Sequence, residues 1–240
     1  MTTAPTAPEH GVLVGAVGAS RAERTAEVVE QLAVRLGLPA GSLRLERACP
    51  TCRSRGHGAP SLAWTQDVSD HDDGTRLTGR LAGMWGRLRG SRRAVLPALP
   101  AVSLSHTAGA HPVTVLAWCA AREDGVTWTV GVDVEDIRSP RTRRALQPGE
   151  DGRSAADAVA FSAADLADWA GRRCEEAYTA RVDAWCRAEA LVKARGTGFT
   201  ADPSAVRPAP HERVVLLAPA VESGLPDTVR GVLVLAPRTR

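Results

Sequence analysis

Over residues 126–135 the chain reads Val-Thr-Trp-Thr-Val-Gly-Val-Asp-Val-Glu, an apolar–polar alternation of period two. That is the pattern of a β-strand with one face in a core. Val126, Trp128, Val130, Val132 and Val134 take the core face, so Asp133 and Glu135 leave together from the other side. Two carboxylates held that close repel, and a cation between them relieves the repulsion. An all-oxygen pair suits a hard ion such as Mg2+, which takes one or two carboxylates together with substrate phosphates. The plainer alternative is a strand running out into a solvated acidic turn, and the motif alone leaves both open.

The flanking sequence mixes helix and strand signals without strict βαβ alternation, which predicts an α+β class. Ala22, Ala26, Val29, Leu32, Ala33 and Leu36 recur at helical spacing over 20–36, with Gly37 as the stop. Strands are expected over 42–46, over 101–109 (ending in a polar loop) and over 113–120, and a hairpin-like pair at 214–217 and 229–235. Ser162 and Asp165 make a capping-box-like helix start, and a longer helix follows over about 174–194, stopped by Gly196. In that helix Trp185, Glu189 and Lys193 stand four residues apart on one face. The bland alternative for Glu189 and Lys193 is a surface ion pair. Residues 1–10, 56–60, 61–75 and 139–153 read as loops or disordered sequence.

Composition then narrows the function classes. A length of 240 residues allows one large domain or two, and a division into 1–121 and 122–240 separates unlike charge balances. The first part holds 13 Arg against 9 acids, the second 17 basic against 18 acidic residues. The apolar run 11–18 lacks the basic flank of a signal peptide, and no apolar run reaches the ~20 residues of a membrane span, so no membrane role and a cytoplasmic location are expected. Five cysteines, an odd count, argue against a disulfide framework. Cys49-Pro-Thr-Cys52, followed by His57 and His71, supplies half of a zinc site, although reduced thiols in a tight turn are the expectation. Over 76–93 there are six Arg and no acid, a basic amphipathic segment that could dock an acidic partner or nucleic acid, although a solvated basic face is the expectation. With 6 Trp, 2 Phe and 1 Tyr the aromatics are too sparse for a base-stacking platform. Lys193 is the one lysine beside 29 Arg, which hints at a compact point charge, with chance as the plain alternative.

Three segments in order resemble the 4′-phosphopantetheinyl transferases, in particular the large type that activates polyketide and nonribosomal-peptide synthetases. They are Val102-Ser-Leu-Ser-His106-Thr, Gly131-Val-Asp-Val-Glu135, and the stretch from Phe161-Ser to Trp185-Cys-Arg-Ala-Glu189-Ala-Leu-Val-Lys193-Ala. The turn carrying Cys49, Cys52, His57, Gly58 and Pro60 is similar to a loop of actinobacterial members. The resemblance implies a monomer of two similar α+β halves related by a pseudo-twofold, with coenzyme A between them. It implies transfer of 4′-phosphopantetheine from coenzyme A to a serine of an acyl or peptidyl carrier protein, releasing 3′,5′-ADP. On that pattern Asp133, Glu135 and Glu189 would hold Mg2+, and Glu189, or a water it polarises, would take the serine proton. Lys193 would steady the phosphate charge, while Ser105 and His106 would grip the coenzyme's phosphates beside Asp133. Gly58 and Pro60 would sit near the adenosine end, and the basic segment 76–93 would meet an acidic carrier.

The chain departs from the family pattern at named places. Ala59 stands where a basic residue is usual, Ala188 where a lysine precedes the helical Glu, and Asp165 where the family has Glu. The connection from Pro60 to Val102 is also longer than usual. These losses motivate an alternative, a non-catalytic homologue that binds coenzyme A or a carrier. A zinc-bearing nucleic-acid module is a second alternative, and it leaves Asp133, Glu135 and Glu189 unexplained.

Overall fold

A computed structural model describes residues 6–15, 20–49, 52, 54–55, 58–65, 98–109, 112–198, 202–217 and 224–238. Strand β1 (His10–Gly15) leads into helix α1 (Arg21–Arg35). The helix starts in a capping box: the Glu23 N–H donates to Ser20 Oγ and the Ser20 N–H donates to the Glu23 carboxylate. It stops where Gly37 turns left-handed at φ 68°. An antiparallel ribbon of β2 (Leu43–Ala48) and β3 (Ala59–Trp64) follows, then β4 (Ala101–His106) and β5 (Thr114–Cys119). The second part comprises β6 (Arg122–Glu123), β7 (Val126–Asp136), helices α2 (Pro140–Leu146), α3 (Asp157–Ala160), α4 (Ala163–Trp169) and α5 (Cys174–Arg195), and strands β8 (Arg213–Leu217) and β9 (Val229–Pro237).

The architecture is α+β, with two larger antiparallel sheets in the orders β1-β5-β4 and β6-β7-β9-β8. Strand alternation sorts the core into layers. On β5, Leu116 and Trp118 face α1 through Val28 and Leu32, whereas Val115, Ala117 and Cys119 face the other sheet. On β7, Trp128, Val130, Val132 and Val134 meet that second face. On β9, Leu233 and Leu235 join them, while Val232, Val234 and Ala236 turn to α5. The order of layers is therefore helix, sheet, sheet, helix. Each fully buried large side chain here, such as Leu116 or Leu233, stabilises the fold by about 1.5–3 kcal/mol.

Several sequence readings need correction. Residues 59–64, expected as loop, form β3; Pro60 sits in it opposite Arg47 because a two-stranded ribbon leaves an outer edge that needs no N–H donor. The stretch 139–153, expected to be loop, contains α2, seated by buried Thr142 and Leu146. His10, assigned to a disordered start, opens β1. Strand β7 is covered on both sides, since α5 lies over the face carrying Gly131 and Asp133. The basic segment 76–93, His57 and His71 lie outside the described residues. Among the described residues no cysteine is in a disulfide and no helix is long and apolar enough to cross a membrane.

Candidate active site

Asp133 and Glu135 project from the middle and end of β7, and what borders that strand sets their surroundings. β4 runs beside β7, yet no ladder joins the two among the described residues. Serine hydroxyls take its place. Ser103 Oγ accepts from the Val132 N–H at 3.0 Å, and Ser105 Oγ accepts from the Val134 N–H at 3.3 Å. The Ser105 hydroxyl then donates to Asp133 Oδ1 at 2.9 Å. Serine at alternate positions of β4 thus satisfies a buried strand edge and orients the first acid.

Helix α5 brings the other half of the constellation. It lies so close to β7 that a Cβ at Gly131 would stand 1.9 Å from the Ala190 carbonyl oxygen, so only glycine fits. The short side chains Ala190 and Ala194 allow the same approach from the helix side. Glu189 and Lys193, one turn apart, are carried to the mouth of the strand. Lys193 Nζ donates to Asp133 Oδ1 at 2.7 Å and to the Val132 carbonyl at 3.1 Å. It pairs with Asp133 across the fold rather than with Glu189 on its own helix. Asp133 is only 6% exposed, which strengthens that ion pair relative to a surface one.

Glu135 is held differently: Thr142 of α2 donates its hydroxyl to Oε2 at 2.8 Å. Glu189 makes no hydrogen bond among the described residues. Burial, reinforced by the Asp133 charge, pushes both the Glu135 and the Glu189 carboxyls above the usual range. Asp133 Oδ2 is buried without a hydrogen-bond partner among the described residues. Among the described residues no three His, Cys, Asp or Glu side chains form a ready-made metal shell. Asp133, Glu135 and Glu189 instead line one cavity, with the Lys193 ammonium neutralising the first of them. The donor set nevertheless suits a small divalent cation: all oxygen, an unpartnered buried carboxylate atom, and two further acids destabilised by burial and like charge.

The cavity, about 480 Å3, is also lined by Ser105, His106, Arg21 and Arg47. His106 Nδ1 meets Thr114 Oγ1 at 2.8 Å, and its Nε2 is buried without a partner among the described residues. Burial, with Arg21, Arg47, Arg24 and Lys193 nearby, pushes the imidazole down to about 4, so it is neutral at pH 7. Neither Arg21 nor Arg47 has a carboxylate partner among the described residues. Arg47 donates to the Gly58 carbonyl at 3.2 Å, and burial and the neighbouring Arg21 charge lower its pKa. A cavity lined by both cations and acids fits a polyanion that shares a divalent ion with those acids.

Six of the eight sequence-predicted residues therefore border one cavity: Ser105, His106, Asp133, Glu135, Glu189 and Lys193. Gly58 and Pro60 do not line it; Gly58 touches it only through Arg47. Its φ of 112° and the Ala48 carbonyl 2.4 Å from any Cβ explain the glycine, which closes the β2–β3 turn behind Arg47. Arg21, Arg47, Arg141 and Thr142 went unrecognised in the sequence. With 29 arginines in the chain, no single one stands out. A larger cavity of about 690 Å3 lies elsewhere, around the 148–154 loop and Trp169. Its buried Arg181 is already matched by Asp157.

Residues 129–217 match the model of the 4′-phosphopantetheinyl transferase superfamily. The matched segment contains Asp133, Glu135, Glu189 and Lys193. Ser105, His106, Arg21 and Arg47 lie outside it. No curated protein sequence matches the chain.

Proposed function

We propose that this protein transfers 4′-phosphopantetheine from coenzyme A to a serine of an acyl or peptidyl carrier protein, with Mg2+, as a two-half transferase of the large type. The observation that carries the reading is one cavity lined by Asp133, Glu135 and Glu189 together with Arg21, Arg47, His106 and Lys193. The topology supports the two-half reading. In each part a first strand is followed by a helix, and then by a hairpin whose second strand pairs with the first: β1-β5-β4 with α1, and β7-β9-β8 with α5.

In this reading the coenzyme's phosphates lie against the arginine and histidine wall. His106 Nε2 and the guanidiniums of Arg21 and Arg47 hold them, and Lys193 faces the diphosphate. Asp133, Glu135 and Glu189 would hold Mg2+, which neutralises diphosphate charge when bound. The carrier serine oxygen forms a new bond to the phosphorus bearing pantetheine, and the bond from that phosphorus to 3′,5′-ADP breaks. Glu189, directly or through a water, takes the serine proton; free of hydrogen bonds and partly buried, it is the acid best suited to accept one. Positioning and charge neutralisation supply most of the rate in such phosphoryl chemistry.

The test is to incubate the protein with coenzyme A, Mg2+ and a panel of apo carrier domains and weigh the carriers by mass spectrometry. A gain of one phosphopantetheine that is lost in Glu189→Gln is the expected result. Coenzyme A binding without mass gain on any carrier would support the non-catalytic alternative.

A further inference from the structure

The two strand acids are each bound by a hydroxyl at one oxygen only. Asp133 Oδ1 accepts from Ser105 and Lys193, leaving Oδ2 buried and without a close partner among the described residues. Glu135 Oε2 accepts from Thr142, leaving Oε1. Thr142 is 5% exposed and sits on a helix that cannot easily shift. Leu146, one turn on, is buried in the cluster formed with α5. The turn before the helix is pinned by the Tyr178 hydroxyl, which donates to the Ile137 carbonyl at 2.8 Å, and Arg143 stacks over the same tyrosine ring at 5.1 Å.

We infer that Thr142 is a positioning residue that makes Glu135 a one-oxygen ligand and thereby sets the site's preference for Mg2+ over Ca2+. The inference rests on the metal reading above. Mg2+ accepts six ligands in tight octahedral geometry, which single carboxylate oxygens satisfy. Ca2+ takes seven or eight and gains from carboxylates that bind through both oxygens. The Thr142 hydroxyl takes one lone pair of Oε2 and fixes the carboxylate's rotation, which disfavours the two-oxygen mode for Glu135, while Ser105 and Lys193 occupy Oδ1 of Asp133. Removing the hydroxyl frees Oε2 and lets the side chain rotate.

The experiment is calorimetric titration of the whole protein with Mg2+ and with Ca2+, for the wild type, Thr142→Val and Thr142→Ser. In the valine variant Mg2+ affinity falls about ten- to a hundredfold, as for other residues that orient a ligand. Ca2+ affinity falls less, so the ratio moves toward Ca2+, and the serine variant keeps the wild-type ratio. Unchanged Mg2+ affinity in Thr142→Val overturns the inference. So does an equal loss for both ions, or a serine variant as impaired as the valine one, either of which marks a merely structural role. A wild type that binds neither ion overturns the metal reading itself, and this inference with it.

Discussion

Replacing Gly131 by alanine perturbs the seat on which the site depends without touching any charged group. The new methyl would lie 1.9 Å from the Ala190 carbonyl oxygen and 2.6 Å from the Ala194 nitrogen, both backbone atoms that no rotamer change moves aside. Helix α5 must withdraw by about 1.5 Å to restore the 3.4 Å at which ordinary contact begins. Glu189 and Lys193 flank Ala190 on that helix, so the same withdrawal stretches the 2.7 Å Lys193–Asp133 bond beyond hydrogen-bonding range. Overpacking of this kind costs about 1–3 kcal/mol of stability. A misplacement on the order of 1 Å between reacting groups costs roughly a hundredfold in rate. Urea denaturation measures the first effect, and turnover on an apo carrier, assayed where the variant is fully folded, measures the second. Wild-type turnover accompanied by a clear loss of stability would refute the claim that this close approach sets the catalytic geometry. Wild-type values for both would refute the packing argument altogether.

Ser105→Ala removes a donor to Asp133 and an acceptor for the Val134 N–H, both buried, and should cost about 1–3 kcal/mol in chemical denaturation; a neutral result would mean the hydroxyl bridge does not stabilise the joint. Asp157→Ala leaves Arg181, only 3% exposed, without its charge partner and should cost about 3–5 kcal/mol, again read from urea curves. Arg47→Gln should raise the Michaelis constant for coenzyme A about tenfold with little change in kcat, as loss of one charge-assisted contact predicts; a pure kcat effect speaks against a binding role. The pH dependence follows from Glu189, whose carboxyl is raised by burial and then by Asp133. Above the ordinary value of 4.5 the native state keeps a proton that the unfolded chain has lost, so this group's contribution to stability declines as pH rises through its folded pKa. Metal-free Glu189→Gln should therefore be more stable than the wild type at pH 7, with the gap closing toward pH 4.5, and a variant less stable at pH 7 contradicts this.

What the sequence reveals of this fold follows from periodicity. β7 and α1 are legible because their apolar residues repeat at two or about three and a half positions over ten or more residues; α5 is legible as a long run free of Gly and Pro that ends at Gly196. Ser162 with Asp165 announces α4 through its capping chemistry alone, and both reciprocal hydrogen bonds form. α2 is illegible because only Thr142 and Leu146 are buried along a run dominated by arginine; its helical state is decided by docking on α5. β3 is hidden by Pro60 and the adjacent glycine, which read as loop in the absence of a partner strand. The acidic half of the site and Lys193 lie within motifs of fixed local spacing, so they can be found by reading. Arg21, Arg47 and Thr142 reach the cavity from three other elements, and nothing local to their positions marks them.

The joint between β4 and β7 has a genetic consequence. A main-chain ladder is common property of nearly all amino acids and persists through most substitutions, whereas this joint is written in two serine codons. Single-base changes at Ser103 or Ser105 reach the contact between the sheets directly, and at Ser105 they reach Asp133 as well. The cleft is thus the part of the scaffold whose geometry point mutation can retune most readily, while the strand pairings behind it stay as they are.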